Sequence, residues 1–443
     1  MNSRRDRYLE TAARIGARIC RDAIWAGQRC NWMGDSMEKL DGTWKVAHRA
    51  LSQDLYGGTS GIALFLERLY SFTGERLYRE TAEGAICQAC SRIPYFPPYA
   101  NLGLYLGVTG IAYVLVCMGR EDQARRTLLE VMPAADPHAV AEHRGLDVIA
   151  GIAGAIPALL SLGVTLCEPK CSELALQFGE DLLRRARKSE CGWSWNTLHI
   201  PEERRRQDLT GFSHGTAGIA WALSELFVHS QDVRFREAAA EARRYENFYF
   251  NHEQSNWPDF RYLYDPDSPI KEGPSYPISW CHGAPGIGLD RLRAYEIFGE
   301  PTLKQEAQIA LRTTETLLNY TKGANFSLCH GIGGNADLAI YAAEVLDDHA
   351  FLAVAEQVGD QGIREIEEQD LRWPCGVTDG DQTPNLFLGT AGIGYFYLRL
   401  YDPYATQPVT ILPVRREMHP EEQGATMVPR VPRPLAGDSL TIQ

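Results

Sequence analysis

Gly215-Thr216-Ala217-Gly218 is followed directly by the apolar run Ile219-Ala220-Trp221-Ala222-Leu223, so that a glycine turn opens an almost wholly apolar segment. The arrangement occurs seven times, at residues 58–61, 107–110, 151–154, 215–218, 283–286, 331–334 and 389–392. Successive turns lie about 44 to 68 residues apart, which is the length of two helices with their connections. Each apolar run is too continuous to face water and predicts an inner helix.

The segments between the apolar runs predict a second layer of helices. Residues 122–131, 172–187 and 303–317 are more polar, as expected of helices that surround an inner ring. Glycine lets the backbone turn sharply and lets a helix begin close to its neighbour. The sequence therefore predicts an all-α fold, a double ring of about seven inner and seven outer helices. The glycine turns and the positive ends of the inner helices should surround one mouth of that ring.

The repeat ring is predicted to be one domain, residues 1–403, because a ring of repeats is a single cooperative body. From Ala405 onward the chain is rich in proline and has no helical periodicity. Residues 404–443 are therefore predicted to form a flexible C-terminal tail. Two irregular stretches, 191–208 and 247–277, lengthen two of the repeats and are candidates for shaping access to the mouth.

Composition excludes several classes of protein. The net charge of −13 argues against a nucleic-acid surface and against binding to an anionic membrane. No apolar run is long enough to span a bilayer, and residues 1–21 lack the apolar stretch of a secretion signal. The eleven cysteines are an odd number and are scattered along the chain, which argues against a disulfide framework. A cytoplasmic protein with free thiols is expected.

Two cysteines occupy the same position in adjacent repeats. Cys281-His282-Gly283 and Cys329-His330-Gly331 each run into a glycine turn, so Cys281, Cys329 and His330 should lie side by side. Two thiolates and one imidazole suit zinc, and three protein ligands with an open fourth position are typical of catalytic zinc. The sequence therefore predicts one zinc ion per chain, bound by these three residues.

Other candidate ligands are interpreted differently. Cys87 and Cys90 lie in a continuous helix with no second pair nearby, and Cys167 and Cys171 lie at a helix connection, so both pairs are interpreted as structural. His282 is either a fourth ligand or an acid beside the metal. The second interpretation is favoured, because a fourth protein ligand would close the site.

Two further polar residues, His214 and Asp147, lie at turns otherwise built from small or apolar residues. A histidine beside a metal-bound nucleophile can exchange a proton near neutral pH, and a carboxylate can hold its imidazole in one tautomer. Both residues are therefore candidates for catalysis. The alternative is that either one only caps a helix.

These motifs resemble the signature of the lanthionine synthetase C-like family. The resemblance rests on Ser213-His214-Gly215, on Trp280-Cys281-His282-Gly283-Ala284-Pro285-Gly286, and on Leu328-Cys329-His330-Gly331, within about residues 50 to 402. The second motif and the ending at 386–403 are most similar to the cyclase half of class II bifunctional lanthipeptide synthetases.

The resemblance implies an α/α toroid with one zinc ion bound by Cys281, Cys329 and His330. It implies addition of a peptide cysteine thiol to dehydroalanine or dehydrobutyrine, which closes a thioether ring. His214 matches the active-site histidine of the family and Asp147 its active-site aspartate. His282 matches the bifunctional enzymes, whereas stand-alone cyclases have tyrosine there, so His214 and His282 both remain candidate proton donors.

The expected partners are a dehydrated precursor peptide and a separate dehydratase, because residues 1–52 are too few to form a dehydratase domain. Two alternative functions stay open. One is addition of glutathione to dehydrated residues, which other members of the family perform. The other is a non-catalytic scaffold that binds a peptide for a partner enzyme. A protein prenyltransferase subunit is disfavoured, because its zinc ligands normally include aspartate.

Overall fold

The computed structural model describes residues 3–40, 43–96, 102–132, 145–263, 273–319 and 323–414. Within these ranges the fold is mostly helical, as predicted. The helices are α1 (Arg4–Arg21), α2 (Thr59–Thr73), α3 (Arg76–Ser91), α4 (Val108–Cys117), α5 (Glu121–Val131), α6 (Ile152–Thr165), α7 (Pro169–Arg185), α8 (Thr216–Ser230), α9 (Val233–Tyr249), α10 (Ala284–Phe298), α11 (Pro301–Leu318), α12 (Ile332–Val345), α13 (His349–Gly362) and α14 (Thr390–Tyr401).

The even-numbered helices α2 to α14 form a closed inner ring, in which each packs on the next and α14 packs back on α2. Each of them also packs most extensively on one outer helix. For the first six inner helices this partner is the helix that follows in the chain, whereas α14 packs on α1. The predicted double ring of seven inner and seven outer helices is therefore confirmed as an α/α toroid, and the N-terminal helix completes its outer layer.

The predicted outer helices agree with α5, α7 and α11 with small differences at their ends. Residues 172–187 were predicted as one helix, but α7 begins at Pro169 and ends at Arg185. Arg187 belongs instead to a short hairpin of β5 (Arg187–Ser189) and β6 (Gly192–Ser194). Among the described residues, no helix combines the length and the apolar character that crossing a membrane requires.

Two more hairpins precede the first repeat, and the sequence did not predict them. The first pairs β1 (Ile24–Ala26) with β2 (Arg29–Asn31). The second pairs β3 (Met33–Leu40) with β4 (Thr43–Ala50) in antiparallel register, with Met33 opposite Ala50. Both connect α1 to the first glycine turn.

The seven turns meet in a closed ring of backbone hydrogen bonds at one end of the toroid. Each turn donates to the turn of the next repeat, and the seventh donates to the first. The bonds are Tyr56 N to Tyr105 O, Leu106 N to Ile149 O, Val148 N to Ser213 O, Ser213 N to Cys281 O, Cys281 N to Cys329 O, Cys329 N to Phe387 O and Phe387 N to Tyr56 O, all between 3.0 and 3.3 Å.

The last glycine of each turn makes this ring possible. A Cβ atom there would lie only 1.8–2.3 Å from the carbonyl oxygen of the residue six positions earlier, in all seven repeats. No side chain fits at such a distance, so only glycine lets the helix begin this close to the backbone that leads into the turn. The repeated glycines are thus explained by packing of backbone on backbone.

The centre of the toroid is filled with side chains. Trp280 is fully buried and packs against Tyr105, Phe212 and Phe387, with ring centroids 4.9–5.8 Å apart. Beneath it, the Trp280 indole N–H donates to the Thr410 carbonyl (2.7 Å), and the Tyr105 hydroxyl donates to the Val409 carbonyl (2.8 Å). These side chains and the segment that contains Val409 and Thr410 therefore fill the centre of the toroid on the side away from the cavity.

Residues 405–414 correct the predicted boundary of the flexible tail. Thr406, Thr410 and Ile411 are fully buried, and Arg293 donates to the Val414 carbonyl (2.9 Å). The segment has no regular secondary structure, but side chains of the turns and of the inner helices donate to its carbonyl groups, so that it can be buried. The packed domain thus continues past residue 403, and residues 415–443 of the predicted tail lie outside the described residues.

Burial of this segment predicts a stability effect. Replacing Ile411 by Ala should lower the free energy of unfolding by about 2–4 kcal/mol, because it empties a fully buried site. Ile24→Ala is the matched control, since Ile24 is 57 % exposed, and should cost less than about 1 kcal/mol. Denaturant unfolding followed by circular dichroism measures both. Equal losses would contradict the buried position of residues 405–414.

Candidate metal centre

The structure brings together the three side chains that the sequence predicts to bind metal. The candidate ligand atoms of Cys281, Cys329 and His330 all lie within 4.8 Å of one another. Both cysteines stand two residues before the first glycine of their turns, and the Cys281 N–H donates to the Cys329 carbonyl (3.3 Å). The ring of backbone bonds therefore sets the separation of the two thiols, and the group could hold a metal ion.

His330 is oriented by a carbonyl of a neighbouring loop. Its Nε2 lies 2.6 Å from the Gly376 carbonyl oxygen, so that this nitrogen carries the proton and Nδ1 keeps a free lone pair. Burial lowers the pKa of His330, which keeps the ring neutral. Metal-binding histidines commonly donate their other N–H to a carbonyl or carboxylate in this way. The imidazole is thus prepared to act as a neutral ligand.

Gly376 has to be glycine for this contact. A Cβ atom there would lie 2.6 Å from Ser327 Oγ and 3.0 Å from His330 Nε2. Any side chain would displace either Ser327 or the imidazole. The loop before the seventh turn is thereby fixed against the ligand group.

The two cysteines share a hydrogen bond. The Cys329 thiol donates to Cys281, which lowers the pKa of Cys281 and, together with burial, raises the pKa of Cys329. Two adjacent buried thiols are soft donors, and a soft or borderline metal ion binds such sulfurs as thiolates. The chemistry of the three donors therefore fits zinc.

His214 and Asp147 form a pair in the same mouth. His214 Nδ1 lies 2.6 Å from Asp147 Oδ2, while Asp147 Oδ1 accepts a hydrogen bond from the Ala150 N–H (3.0 Å). Asp147 thus closes its own turn and orients the histidine as well. Burial alone would lower the pKa of His214, but the hydrogen bond and charge of Asp147 outweigh burial and raise it. The pairing leaves Nε2 of His214, whose side chain is 32 % exposed, for other contacts.

The turn that carries His214 is held from behind by an outer helix. Glu246 of α9 is fully buried, and its Oε1 accepts from Gly211 N, Thr216 Oγ1 and Ala217 N, each at 3.0 Å. A carboxylate at a helix N-terminus accepts hydrogen bonds from the free backbone N–H groups, and its negative charge interacts favourably with the helix dipole. Glu246 therefore fixes both the start of α8 and the position of the histidine.

His282 is buried beside this pair and is not a member of the ligand group. Its ring stacks on that of His214, with centroids 5.9 Å apart. Among the described residues neither of its nitrogens makes a hydrogen bond of ordinary geometry. Burial, and then the positive charge of Arg261, lower the pKa of His282 to about 3. The ring is therefore neutral near neutral pH.

Two residues that the sequence analysis did not single out, Tyr56 and Arg261, also reach the site. The Tyr56 hydroxyl lies against Cys329, and burial raises the pKa of Tyr56. Arg261 binds Asp259 through two of its nitrogens (2.9 and 2.6 Å) and brings positive charge close to both cysteines. Tyr56 stands two residues before its glycine, as the cysteines do, so alignment of the repeats could have found it. Arg261 lies in the irregular stretch 247–277, which gives no such signal.

The three candidate ligands share one cavity of about 880 Å³ with His214 and His282. It is open to solvent on the side of the glycine turns. Its wall includes Tyr56, His214, Arg261, Cys281, Cys329 and His330, and also part of the β3–β4 hairpin. A peptide segment could enter this cavity and reach the three candidate ligands.

Comparison with known proteins identifies the relatives of the chain. A family model described as "Lanthionine synthetase C-like protein" matches residues 49–412. The lacticin 481/lactococcin biosynthesis protein LcnDR2 of Lactococcus lactis subsp. lactis is 22 % identical over 388 residues, which are 83 % of this chain and 38 % of that protein. The zebrafish (Danio rerio) glutathione S-transferase LANCL1 is 31 % identical over 134 residues, 28 % of this chain and 29 % of that protein.

The chain thus spans about a third of the length of these two curated relatives. Among solved structures, nisin cyclase matches with a TM-score of 0.57 at 17 % identity, over 80 % of this chain and 90 % of that one. At this identity the likeness supports the fold, and it agrees with the toroid described above.

The geometry of the pair predicts how His214 titrates. Replacing Asp147 by Asn should lower the pKa of His214, because burial then acts without the opposing charge of the carboxylate. Proton NMR titration of the histidine rings measures the shift. His229 is the internal control, since burial alone lowers its pKa and Asp147 does not contribute to it. An unchanged pKa of His214 would show that the two side chains do not interact in solution.

Proposed function

The chain belongs to the lanthionine synthetase C-like family, and on that premise we propose that it is a zinc-dependent lanthipeptide cyclase. It would add the thiol of a peptide cysteine to a dehydroalanine or dehydrobutyrine of the same peptide and close a thioether ring. The observation that carries this proposal is the arrangement of Cys281, Cys329 and His330 in one open cavity with the His214–Asp147 pair. The first three residues suit thiol activation, and the pair suits proton transfer.

Cys281, Cys329 and His330 would hold one zinc ion and leave a position open to the substrate. When bound there, zinc would lower the pKa of a cysteine thiol of the substrate, which is ordinarily about 8.5, so that the thiolate is available at neutral pH. Arg261 favours the same ionisation, because its guanidinium brings positive charge to the cysteine pair. The protein thus provides an environment in which a thiolate is stable.

The reaction forms one bond and moves one proton. The thiolate sulfur attacks the β-carbon, a C–S bond forms, and the π electrons of the double bond move to the α-carbon and its carbonyl as an enolate. The α-carbon then takes up a proton, so the product is a thioether with no group lost. The thiol loses one proton and the α-carbon gains one, so the number of protons is unchanged.

His214 is the proposed proton donor to the α-carbon. Asp147 raises its pKa and holds Nδ1, so that the protonated ring presents Nε2 to the cavity. His282, with a pKa of about 3, has no proton of this kind to give near neutral pH. We therefore assign His282 to packing and orientation of the His214 ring and propose His214 as the acid.

Addition of glutathione to dehydrated residues is the second candidate function. It is favoured by the partial similarity to the zebrafish protein, which is named a glutathione S-transferase. The same ligand group and the same acid would serve either reaction, since only the source of the thiol differs. A non-catalytic scaffold would need neither the His214–Asp147 pair nor the three adjacent donors.

The proposed substrate is a dehydrated precursor peptide, and the proposed partner is a separate dehydratase. Ring closure consumes dehydroalanine or dehydrobutyrine, so it depends on a dehydratase activity that supplies these residues. A cytoplasmic location is proposed together with this partner. It is also the compartment in which the free ligand cysteines would remain reduced.

Metal content provides the first test. The purified wild type should contain about one zinc per chain by inductively coupled plasma mass spectrometry, as three ligands and an open position predict. Cys281→Ala and Cys329→Ala should each lose it, whereas Cys171→Ala, which removes a buried cysteine of α7, should retain it. A well-folded wild type without zinc would overturn the proposed activation of the thiol.

Product formation provides the second test. A synthetic peptide with one dehydroalanine and one cysteine should lose its reactivity to thiol-alkylating reagents without a change of mass, as expected of an internal thioether. His214→Ala should lower kcat by about a hundredfold or more, because it removes the acid. His229→Ala, a change at the end of α8, is the control and should not.

The same assay distinguishes the alternatives. With glutathione present, a product heavier by one glutathione would favour the second candidate function. Binding of the peptide with neither product would favour the scaffold.

A further inference from the structure

The β3–β4 hairpin lies almost wholly before the residues that the family model matches, yet it forms part of the wall of the candidate site. The match begins at residue 49, whereas the hairpin covers Met33–Leu40 and Thr43–Ala50. Asp35, Met37 and Trp44 line the same cavity as Cys281 and His330. A segment added in front of the repeats thus shapes the mouth of the site.

The base of the hairpin is fixed to the toroid on two sides. The Asp35 carboxylate accepts from the Asp381 N–H (2.7 Å) and pairs with His48 (2.7 Å). At Gly34 a Cβ atom would lie 2.7 Å from Thr383 Oγ1, so the strand packs closely on the loop before the seventh turn. The Leu51 N–H donates to the Trp32 carbonyl (3.0 Å), and Trp32 donates to the Ile19 carbonyl of α1 (2.7 Å). These contacts therefore hold the base of the hairpin in a fixed position against the toroid.

The far half of the hairpin is exposed and apolar where it meets the cavity. Met37 pairs with Val46 and Lys39 with Trp44, so Met37 and Trp44 are diagonal neighbours on one face. Trp44 is 59 % exposed. A tryptophan this exposed has apolar surface that binding of another chain would remove from water, and methionine adapts to varied partners.

The strands of the hairpin also have backbone N–H and C=O groups that can form hydrogen bonds with a peptide. Within the described part of the chain the hairpin is a sheet of two strands, so each strand has one edge that the other strand does not cover. An extended peptide can pair with such an edge through main-chain hydrogen bonds, which do not depend on its sequence.

We propose that the β3–β4 hairpin is the substrate-binding wall of the site, against which an extended peptide lies with its side chains on Met37 and Trp44. This inference rests on the proposed function, because the peptide is the one whose cysteine and dehydrated residue react in the cavity. The hairpin would thus bind the peptide that carries the dehydrated residue.

Variants of Trp44 and Met37 test the proposal in the full-length, zinc-loaded protein. The first probe is a fluorescent, unreactive peptide with serine in place of dehydroalanine, and its Kd is measured by anisotropy. Trp44→Ala and Met37→Ala should each raise this Kd about tenfold, since each removes an apolar contact at the centre of the bound segment. Trp25→Ala is the matched control: Trp25 is also on a hairpin and 47 % exposed, but it does not line the cavity.

The second readout compares two reactions. One is cyclisation of the dehydroalanine peptide, and the other is addition of N-acetylcysteine to N-acetyldehydroalanine methyl ester. In Trp44→Ala the ratio of the two kcat/KM values should fall about tenfold in favour of the small pair, through a higher KM for the peptide. Zinc content should equal that of the wild type.

The outcomes separate this inference from the proposed function. A wild type that performs neither reaction contradicts the proposed function, and the peptide Kd then still tests the hairpin. A Kd and a ratio within twofold of wild type in both variants would overturn the hairpin as a binding wall. Equal losses in Trp25→Ala, or loss of zinc in Trp44→Ala, would assign the residues to folding and overturn it too.

Discussion

The ring of seven backbone hydrogen bonds is the constraint on which the rest of the structure depends. It joins each glycine turn to the next and closes between Phe387 and Tyr56, so that no repeat can shift alone. The last glycine of every turn is required because backbone packs on backbone there at a distance that excludes a Cβ atom. Helix lengths and loops vary among the repeats, but the ring keeps the residues just before each turn in equivalent places.

Function then depends on which side chains occupy these equivalent places. Two residues before the first glycine, repeats five and six have Cys281 and Cys329, while the seventh has Phe387 and the first has Tyr56. Phe387 packs on Trp280 in the centre of the toroid, Tyr56 stacks on Phe387 and also lines the cavity, and the cysteines face the cavity. Residues at equivalent places in two adjacent repeats thus form a group that could hold a metal ion.

The repeats explain why the double ring of helices and the closeness of the three candidate ligands could be predicted from the sequence. Identical positions in adjacent repeats are neighbours in space, so the closeness of Cys281, Cys329 and His330 could be inferred without any long-range information. Three features had no such signal: the pairing of α1 with α14, the β3–β4 hairpin, and the burial of residues 405–414. Each depends on contacts between distant parts of the chain. The first prolines after Ala405 occur in an irregular segment whose Thr410 carbonyl accepts a hydrogen bond from Trp280.

The polar residues occupy one arc of the mouth, and this asymmetry has a consequence for substrates. Asp147, His214, Cys281 and Cys329 come from repeats three to six in succession, whereas the β3–β4 hairpin is attached beside repeats seven and one. In the proposed function, a chain that lies along the hairpin would approach the candidate ligands from the side of repeats seven and one. Trp280, Thr410 and Ile411 are fully buried and fill the centre of the toroid. Both reacting groups of the proposed peptide would therefore have to meet within the cavity, on the side of the glycine turns.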